Sequence, residues 1–261
     1  MTANLDHKTS FGKVSQTYDE VRPTYPKQVI EKIIQYSGIP KNGKILEVGC
    51  GSAQATIAFA KKDFDITALD ISESLIALAK RKTAGFPKVK YLLSSFEEAK
   101  LPENYFDLLI SATAFHWVMP REGHLKAARV LKPGASLALF WNYLNPTKDD
   151  YIPGINEFFS RHTPGYPYYS QITKAWVEDR KRIEETKAFG VVTETQTPVR
   201  MLEYSKENYV KLVSTFGWVG ALSKKEKAIL LGELENLVEN EKEPLKVPYN
   251  TFLLMAKKLE K

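Results

Sequence analysis

Ile45-Leu46-Glu47-Val48-Gly49-Cys50-Gly51-Ser52 is an apolar run broken by one acid and closed by a glycine turn, and Ala68-Leu69-Asp70-Ile71 follows it. A buried strand that runs into such a turn and a helix, with a second strand ending in a carboxylate roughly 20 residues on, is how a Rossmann-type sheet grips a nucleoside. A dinucleotide fingerprint would want a third glycine at position 54, where this chain has Gln54. Glu47 stands just ahead of the turn, where it would repel a pyrophosphate seated on the helix N-terminus. A phosphate-free nucleoside that carries positive charge fits better. S-adenosylmethionine, with a ribose, an adenine, an ammonium and a sulfonium, is such a molecule, and NAD is disfavoured on the same two residues.

The bulk of the chain is compatible with this reading. Its 261 residues allow one sizeable core plus a small appendage, and 43% hydrophobic with 26% charged residues is ordinary for a globular protein. No apolar run approaches the ~18–20 residues that cross a bilayer, and the first eleven residues are polar, so the expected location is cytoplasmic, with no membrane partner. Cys50 is the single cysteine, which excludes an intrachain disulfide and a cysteine metal cluster; it reads as a small residue in a tight turn. The four histidines lack zinc-ligand spacing, so no metal is expected. The formal charge of +6 permits an acidic partner without choosing one. Lys80-Arg81-Lys82 complements a helix C-terminus and Lys224-Lys225 opens an exposed helix, so a nucleic-acid partner is disfavoured.

Strand-length apolar runs alternate with helical patterns from about residue 28 to 142, as in successive βα units. Strands are expected near 44–48, 65–70, 89–93, 106–111 and 136–141. Helices are expected over 53–61, 72–82 and 121–131, with Ser72 capping the second and Lys132-Pro133-Gly134 ending the third. Beyond Asn142, turn residues and aromatics predominate. Residues 1–142 thus read as an N-terminal cap segment and a binding core, 143–187 as a lid or acceptor-binding insertion, and 188–261 as completion of the core sheet with additional helices. In that last part 191–203 and 247–255 are expected strands, separated by helices over 205–240. The fold class is α/β: a Rossmann-like, seven-stranded, mostly parallel sheet with helices on both faces and a small, partly helical lid.

Four separated segments, Leu46-Glu47-Val48-Gly49-Cys50-Gly51, Leu69-Asp70-Ile71-Ser72, Phe106-Asp107-Leu108-Leu109-Ile110-Ser111 and Leu131-Lys132-Pro133-Gly134, resemble the class I S-adenosylmethionine-dependent methyltransferases of the type 11 kind. Tyr18-Asp19-Glu20-Val21-Arg22-Pro23-Thr24-Tyr25-Pro26 and Ala114-Phe115-His116-Trp117 resemble the branch that includes trans-aconitate methyltransferase-like proteins. The resemblance implies methyl transfer from S-adenosylmethionine to a small molecule, a reaction in which positioning supplies much of the rate.

Gly49 and Gly51 are expected to let the backbone approach the cofactor, and Asp70 to accept hydrogen bonds from its ribose, with Ile71 against the adenine. By resemblance, Ser95 and Phe96 lie at the adenine edge, Ser111 near the methyl, and Tyr18 and Arg22 in a segment folding over the pocket, the arginine fork suiting the methionine carboxylate. Family members often carry a third glycine where this chain has Ala53. His116 and Trp117 follow the fourth strand, where such sheets place their ligands; His116 is a candidate general base, or a hydrogen-bond donor to an acceptor carboxylate. Tyr166, Tyr168, Tyr169 and Trp176, with Trp141 and Tyr143, are candidate walls of the acceptor pocket. A carboxylate is the acceptor first expected. The alternatives are a nucleic-acid methyltransferase, which would need a contiguous basic groove, and a cofactor-binding regulator that has lost catalysis.

Overall fold

The computed structural model describes residues 15–145, 151–162 and 168–260, and for 15–16 and 168–175 the backbone only. The chain divides into two compact units, the first drawn from Met1–Pro23, Tyr143–Lys174 and Pro198–Asn250, the second from Thr24–Asn142, Ala175–Thr197 and Thr251–Lys261.

The second unit carries the parallel sheet. Its strands are β1 (Lys44–Val48), β2 (Asp65–Asp70), β3 (Val89–Leu93), β4 (Phe106–Ala112) and β5 (Leu131–Leu144), joined by β6 (Thr193–Gln196) and β8 (Leu245–Lys257) in the order β3-β2-β1-β4-β5-β8-β6. Pairing is parallel from β3 through β5, with Ile45 opposite Ile66 and Leu108, and antiparallel between β6 and β8. The helices before and after β1, α2 (Lys27–Ser37) and α3 (Gln54–Ala60), cover one face: Ile30, Ile33 and Phe59 pack with Ile45, Ile66, Leu108 and Phe140. Side chains alternate along a strand, so the equally buried Leu46, Leu109 and Leu137 face the other way. Burial on both faces is what makes these strands continuous apolar runs. The chain winds from β1 outward to β3 and returns to β4, so right-handed crossovers place the β4–β5 helix, α5 (Glu122–Val130), opposite α3. The order reverses between β1 and β4, the position at which such sheets bind ligands beyond their strand carboxyl ends.

Local signals account for most boundaries. Ser72 caps α4 (Glu73–Lys82), its hydroxyl accepting from the Leu75 amide at 3.3 Å, and Lys80, Arg81 and Lys82 fill the last turn. Lys132-Pro133-Gly134 does not simply end a helix: β5 begins at Leu131 and the triplet forms an irregularity within it, Phe106 pairing with Leu131 but Leu108 with Ser136, with Gly134 at φ +73°. The expected single strand over 191–203 is two. Pro198 has no N–H for a ladder and divides it into β6 and β7 (Arg200–Tyr204).

The first unit has its own core. Here α1 (Ser15–Val21), α6 (Ile155–His162), α8 (Lys206–Ser214), α9 (Gly217–Gly220) and α10 (Lys224–Val238) contribute Val21, Phe158, Phe159, Leu212, Val213, Leu230 and Leu234, together with β7 and the first half of β8 paired antiparallel with it. The remaining helix, α7 (Tyr168–Glu185), belongs to the second unit from Ala175 onward, so residues 143–187 are divided between the units rather than forming one insertion.

Candidate active site

Three left-handed residues shape the turn after β1: Gly49 at φ +72°, Gly51 at +54° and Ala53 at +69°. The Gly49 and Cys50 amides both donate to Leu69 O, at 2.9 and 3.0 Å, which binds the turn to the end of β2. A Cβ on Gly49 would lie 2.4 Å from the Ala114 methyl, so a glycine is required for the loop after β4 to come this close. Ala53 adopts a conformation that costs a non-glycine residue about 1–2 kcal/mol.

Asp70 closes the turn from the side. Its Oδ2 accepts from the Gly51 amide and its Oδ1 from the Ser72 amide, each at 2.9 Å. Burial raises its pKa, and the Ser72 and Gly51 amides pull it back. One lone pair on each oxygen remains for a hydroxyl donor, as a ribose diol offers. Asp70 is not the cap of α4, a role taken by Ser72.

Glu47 is fully buried on β1, and neither carboxyl oxygen completes a hydrogen bond. Burial lifts its pKa to about 8; Thr56 is near enough to lower it in part, and Asp70 raises it further. Ser52 Oγ, Gln54 Nε2 and Thr56 Oγ1, in the same turn and helix start, are likewise buried without partners. Buried polar groups are nearly always paired, so a cluster of orphans marks a place built for a ligand that brings its own donors and acceptors. A buried acid with two hydroxyls and an amide beside it suits an ammonium-bearing amino acid, and the set therefore fits S-adenosylmethionine. Burial and the Asp70 and Glu47 charges also raise the Cys50 pKa, keeping this thiol neutral in the turn.

The other expected residues are placed as follows. Ile71 is half-buried beyond Asp70. Ser95 follows β3, its hydroxyl exchanging hydrogen bonds with Glu98, and Phe96 is buried with its ring 6.2 Å from that of Phe115. The Ser111 hydroxyl donates to Val48 O at 2.7 Å and so ties β4 to β1. Arg22 and Tyr18 lie on and just after α1 in the first unit. There Arg22 Nε and Nη2 donate to Thr215 Oγ1 and Thr215 O, and its guanidinium lies 4.9 Å from the Tyr18 ring centre. The fork expected for a carboxylate is thus engaged at the C-terminal end of α8, where a cation complements the helix dipole. Tyr166 falls outside the described residues, and Tyr168 and Tyr169 open α7, where their side chains are not described. Trp176 and Trp141 are core residues rather than walls: Trp176 stacks on Phe252 at 3.7 Å.

His116 and Trp117 form a 3-10 turn with Phe115, their rings 4.9 Å apart, and Trp141 Nε1 donates to His116 Nδ1 at 3.3 Å. Beside them lies a polar chain that pattern reading missed. Tyr25 Oη meets Thr113 Oγ1 at 2.8 Å, Thr113 Oγ1 accepts from the Asn142 amide, and Asn142 Oδ1 accepts from Thr251 Oγ1 at 2.6 Å. Thr113 sits at φ +55°, rare for a β-branched residue, at the carboxyl end of β4. No short-range signal pairs these residues, which come from four separate segments. Among the described residues no cluster of His, Cys, Asp or Glu is placed to hold a metal, and no helix is long and apolar enough to cross a membrane.

Residues 46–139 match the family model described as a methyltransferase domain. An uncharacterised methyltransferase of Mycobacterium bovis is 32% identical over 153 residues, so the match spans 58% of this chain and 58% of that relative. An uncharacterised methyltransferase-like protein of Schizosaccharomyces pombe is 26% identical over 267 residues, covering 99% of this chain and 98% of its own. Among solved structures, a proposed type II methyltransferase from Anaeromyxobacter dehalogenans shares the fold at TM-score 0.61 and 22% identity, over 92% of this chain and 98% of that one. Residues 46–139 therefore form a methyltransferase domain of the class I, S-adenosylmethionine-dependent kind.

Proposed function

We propose that the whole chain transfers a methyl group from S-adenosylmethionine to a carboxylate oxygen of a small molecule. The observation that carries the cofactor half is the buried, unpartnered Glu47 carboxyl beside the glycine turn, with Asp70 across from it. Glu47, Ser52, Gln54 and Thr56 would hold the amino-acid end and Asp70 the ribose. When bound, the cofactor supplies a methyl already activated by its positive sulfur. The protein's part is then to orient and to exclude water, which a rigid turn on strand ends does well. Gly49 brings the β4 loop against the turn, and His116, held by Trp141, stands on that loop as a donor for an acid. An ionised carboxylate is itself a nucleophile, so no side chain has to remove a proton. The N-terminal and Ala114–Trp117 segments favour the trans-aconitate methyltransferase-like branch, whose acceptors are small acids.

The test is a transfer screen with methyl-labelled S-adenosylmethionine against small carboxylic acids, phenols, amines and RNA. Label in a base-labile ester is the expected result; label on RNA or an amine nitrogen would discard the acceptor class, and no label anywhere, with the cofactor bound, would favour a non-catalytic binder. Calorimetry is the companion test of the cofactor. Asp70→Ala should weaken S-adenosylhomocysteine binding by about 1–3 kcal/mol through lost ribose hydrogen bonds, whereas an unchanged affinity takes Asp70 out of the site.

A further inference from the structure

We propose that Glu47 rests as the uncharged acid and gives its proton to solvent when an ammonium group seats beside it, so that the cofactor binds with release of a proton. The inference rests on the cofactor half of the methyl-transfer reading and names what sets affinity at that site. Glu47 stands on β1 opposite Ala68 of β2 and Ile110 of β4, and its side chain is fully buried. It lies two residues beyond Ile45, so it points to the sheet face that α3 covers. A carboxylate moved from water into such surroundings without a partner is strongly disfavoured, and the group keeps a proton instead.

Two acids meet at the turn, and their hydrogen bonds decide which keeps the charge. Asp70 accepts from the Gly51 and Ser72 amides, an arrangement that favours its anion, whereas neither oxygen of Glu47 completes a bond. Like charges side by side disfavour each other, so with Asp70 ionised the proton stays on Glu47. The other titratable groups that act on this spot are the Cys50 thiol in the turn and the Tyr91 hydroxyl on β3, both kept neutral by burial, and from α3 the neutral Thr56 reaches Glu47. No cation is among them. A ligand ammonium supplies the missing counter-ion: the Glu47 O–H bond breaks, the proton leaves for solvent, and the carboxylate pairs with the ammonium. One positive charge enters as another departs, so the buried turn never holds an unpaired second anion. The Ser52 and Thr56 hydroxyls and the Gln54 amide, buried without partners beside Glu47, are donors for the carboxylate of the same amino acid.

Titration calorimetry of the wild-type protein with S-adenosylhomocysteine at pH 6.5, in phosphate and in imidazole, counts the protons exchanged, because the two buffers differ in ionisation enthalpy. About one proton should be released per ligand bound, and none with adenosine, which has the base and the ribose but no ammonium. Burial holds the free Glu47 at about 8, so the association constant should rise about tenfold per unit from pH 5.5 to 7.5, where the ligand amine stays charged. E47Q has no proton to give, and its affinity should be flat over the same range with no proton released. Binding of S-adenosylhomocysteine without proton release by the wild type, or with equal release by E47Q, would overturn the proposal and leave the cofactor reading standing. Absence of binding at every pH would remove that reading and the proposal with it. The proton count needs only the wild-type chain and no turnover, so it decides the matter even if E47Q does not fold.

Discussion

Glu47 couples the chain's stability to the chemistry of its turn. A carboxyl group held at about 8 in the folded protein, against 4.5 when exposed, binds an extra proton on folding throughout the interval between those values. The unfolded state binds fewer protons there, so stability falls as pH rises from about 4.5 to 8, by at most about 1.4 kcal/mol per pH unit. Glu47→Gln removes the titration. Urea denaturation at pH 5, 6.5 and 8 should therefore show a mutant that gains on the wild type progressively with pH, and a constant difference between the two would mean that Glu47 does not carry the slope. The same substitution should weaken cofactor binding by about 1.5–3 kcal/mol, the worth of a hydrogen bond to a charged group, so that stability and function move in opposite directions at one residue.

At the scale of elements, α5 and α7 are joined by a buried polar pair. His124 Nε2 lies 3.2 Å from Asp179 Oδ1, both side chains 2% exposed, without completing an aligned hydrogen bond, and Arg182 Nη1 lies 3.8 Å from the same oxygen. The pair would be exchangeable for apolar residues at little cost, but breaking it leaves one buried polar group alone. Asp179→Ala should cost about 3 kcal/mol in chemical denaturation, and replacing His124 and Asp179 together by leucines, which leaves neither polar group alone, less. Equal stability of Asp179→Ala and wild type would show that His124 needs no partner. His124 also meets the Phe115 ring edge-on at 5.0 Å, so this loss should reach the His116 turn.

The elements differ in how far they can be read from the chain. The five parallel strands are apolar runs bounded by turn residues, and β1 to β4 begin and end within a residue of their expected limits. β5 is longer because Gly134 lets the strand resume around a bulge, a register effect that no local pattern announces. Helical periodicity shows that Leu212, Val213, Leu230 and Leu234 are buried, but not against what; they pack on α6 and β7, in a core of their own. In the candidate site, Glu47, Gly49 and Gly51 stand on one short stretch and Asp70 at the end of the next strand, which is why a local pattern singles them out. The Ser111 hydroxyl bond to Val48 O crosses two strands and the His116–Trp141 pair joins residues 25 apart, and no local pattern announces either.

For the whole molecule, the decisive quantity is where ligand binding energy is stored. The glycine turn, Glu47 and Asp70 all belong to the unit built from Thr24–Asn142, Ala175–Thr197 and Thr251–Lys261, about 150 residues with a core separate from that of the other unit. A ligand that binds only the folded form stabilises it by about 2.7 kcal/mol at a concentration of one hundred times its Kd. For a cooperative unit of that size this is a rise in Tm of about 5–10 °C. S-adenosylhomocysteine at saturation should produce that rise in the transition that unfolds the parallel sheet, with slowed hydrogen exchange at the amides of residues 49–53 and 70–72. NAD at the same concentration should produce neither, because Glu47 and Gln54 stand where its pyrophosphate would have to lie. Equal shifts with both ligands would show that the turn recognises only what they share, the adenosine, and that the buried carboxyl of Glu47 contributes nothing to the choice between them.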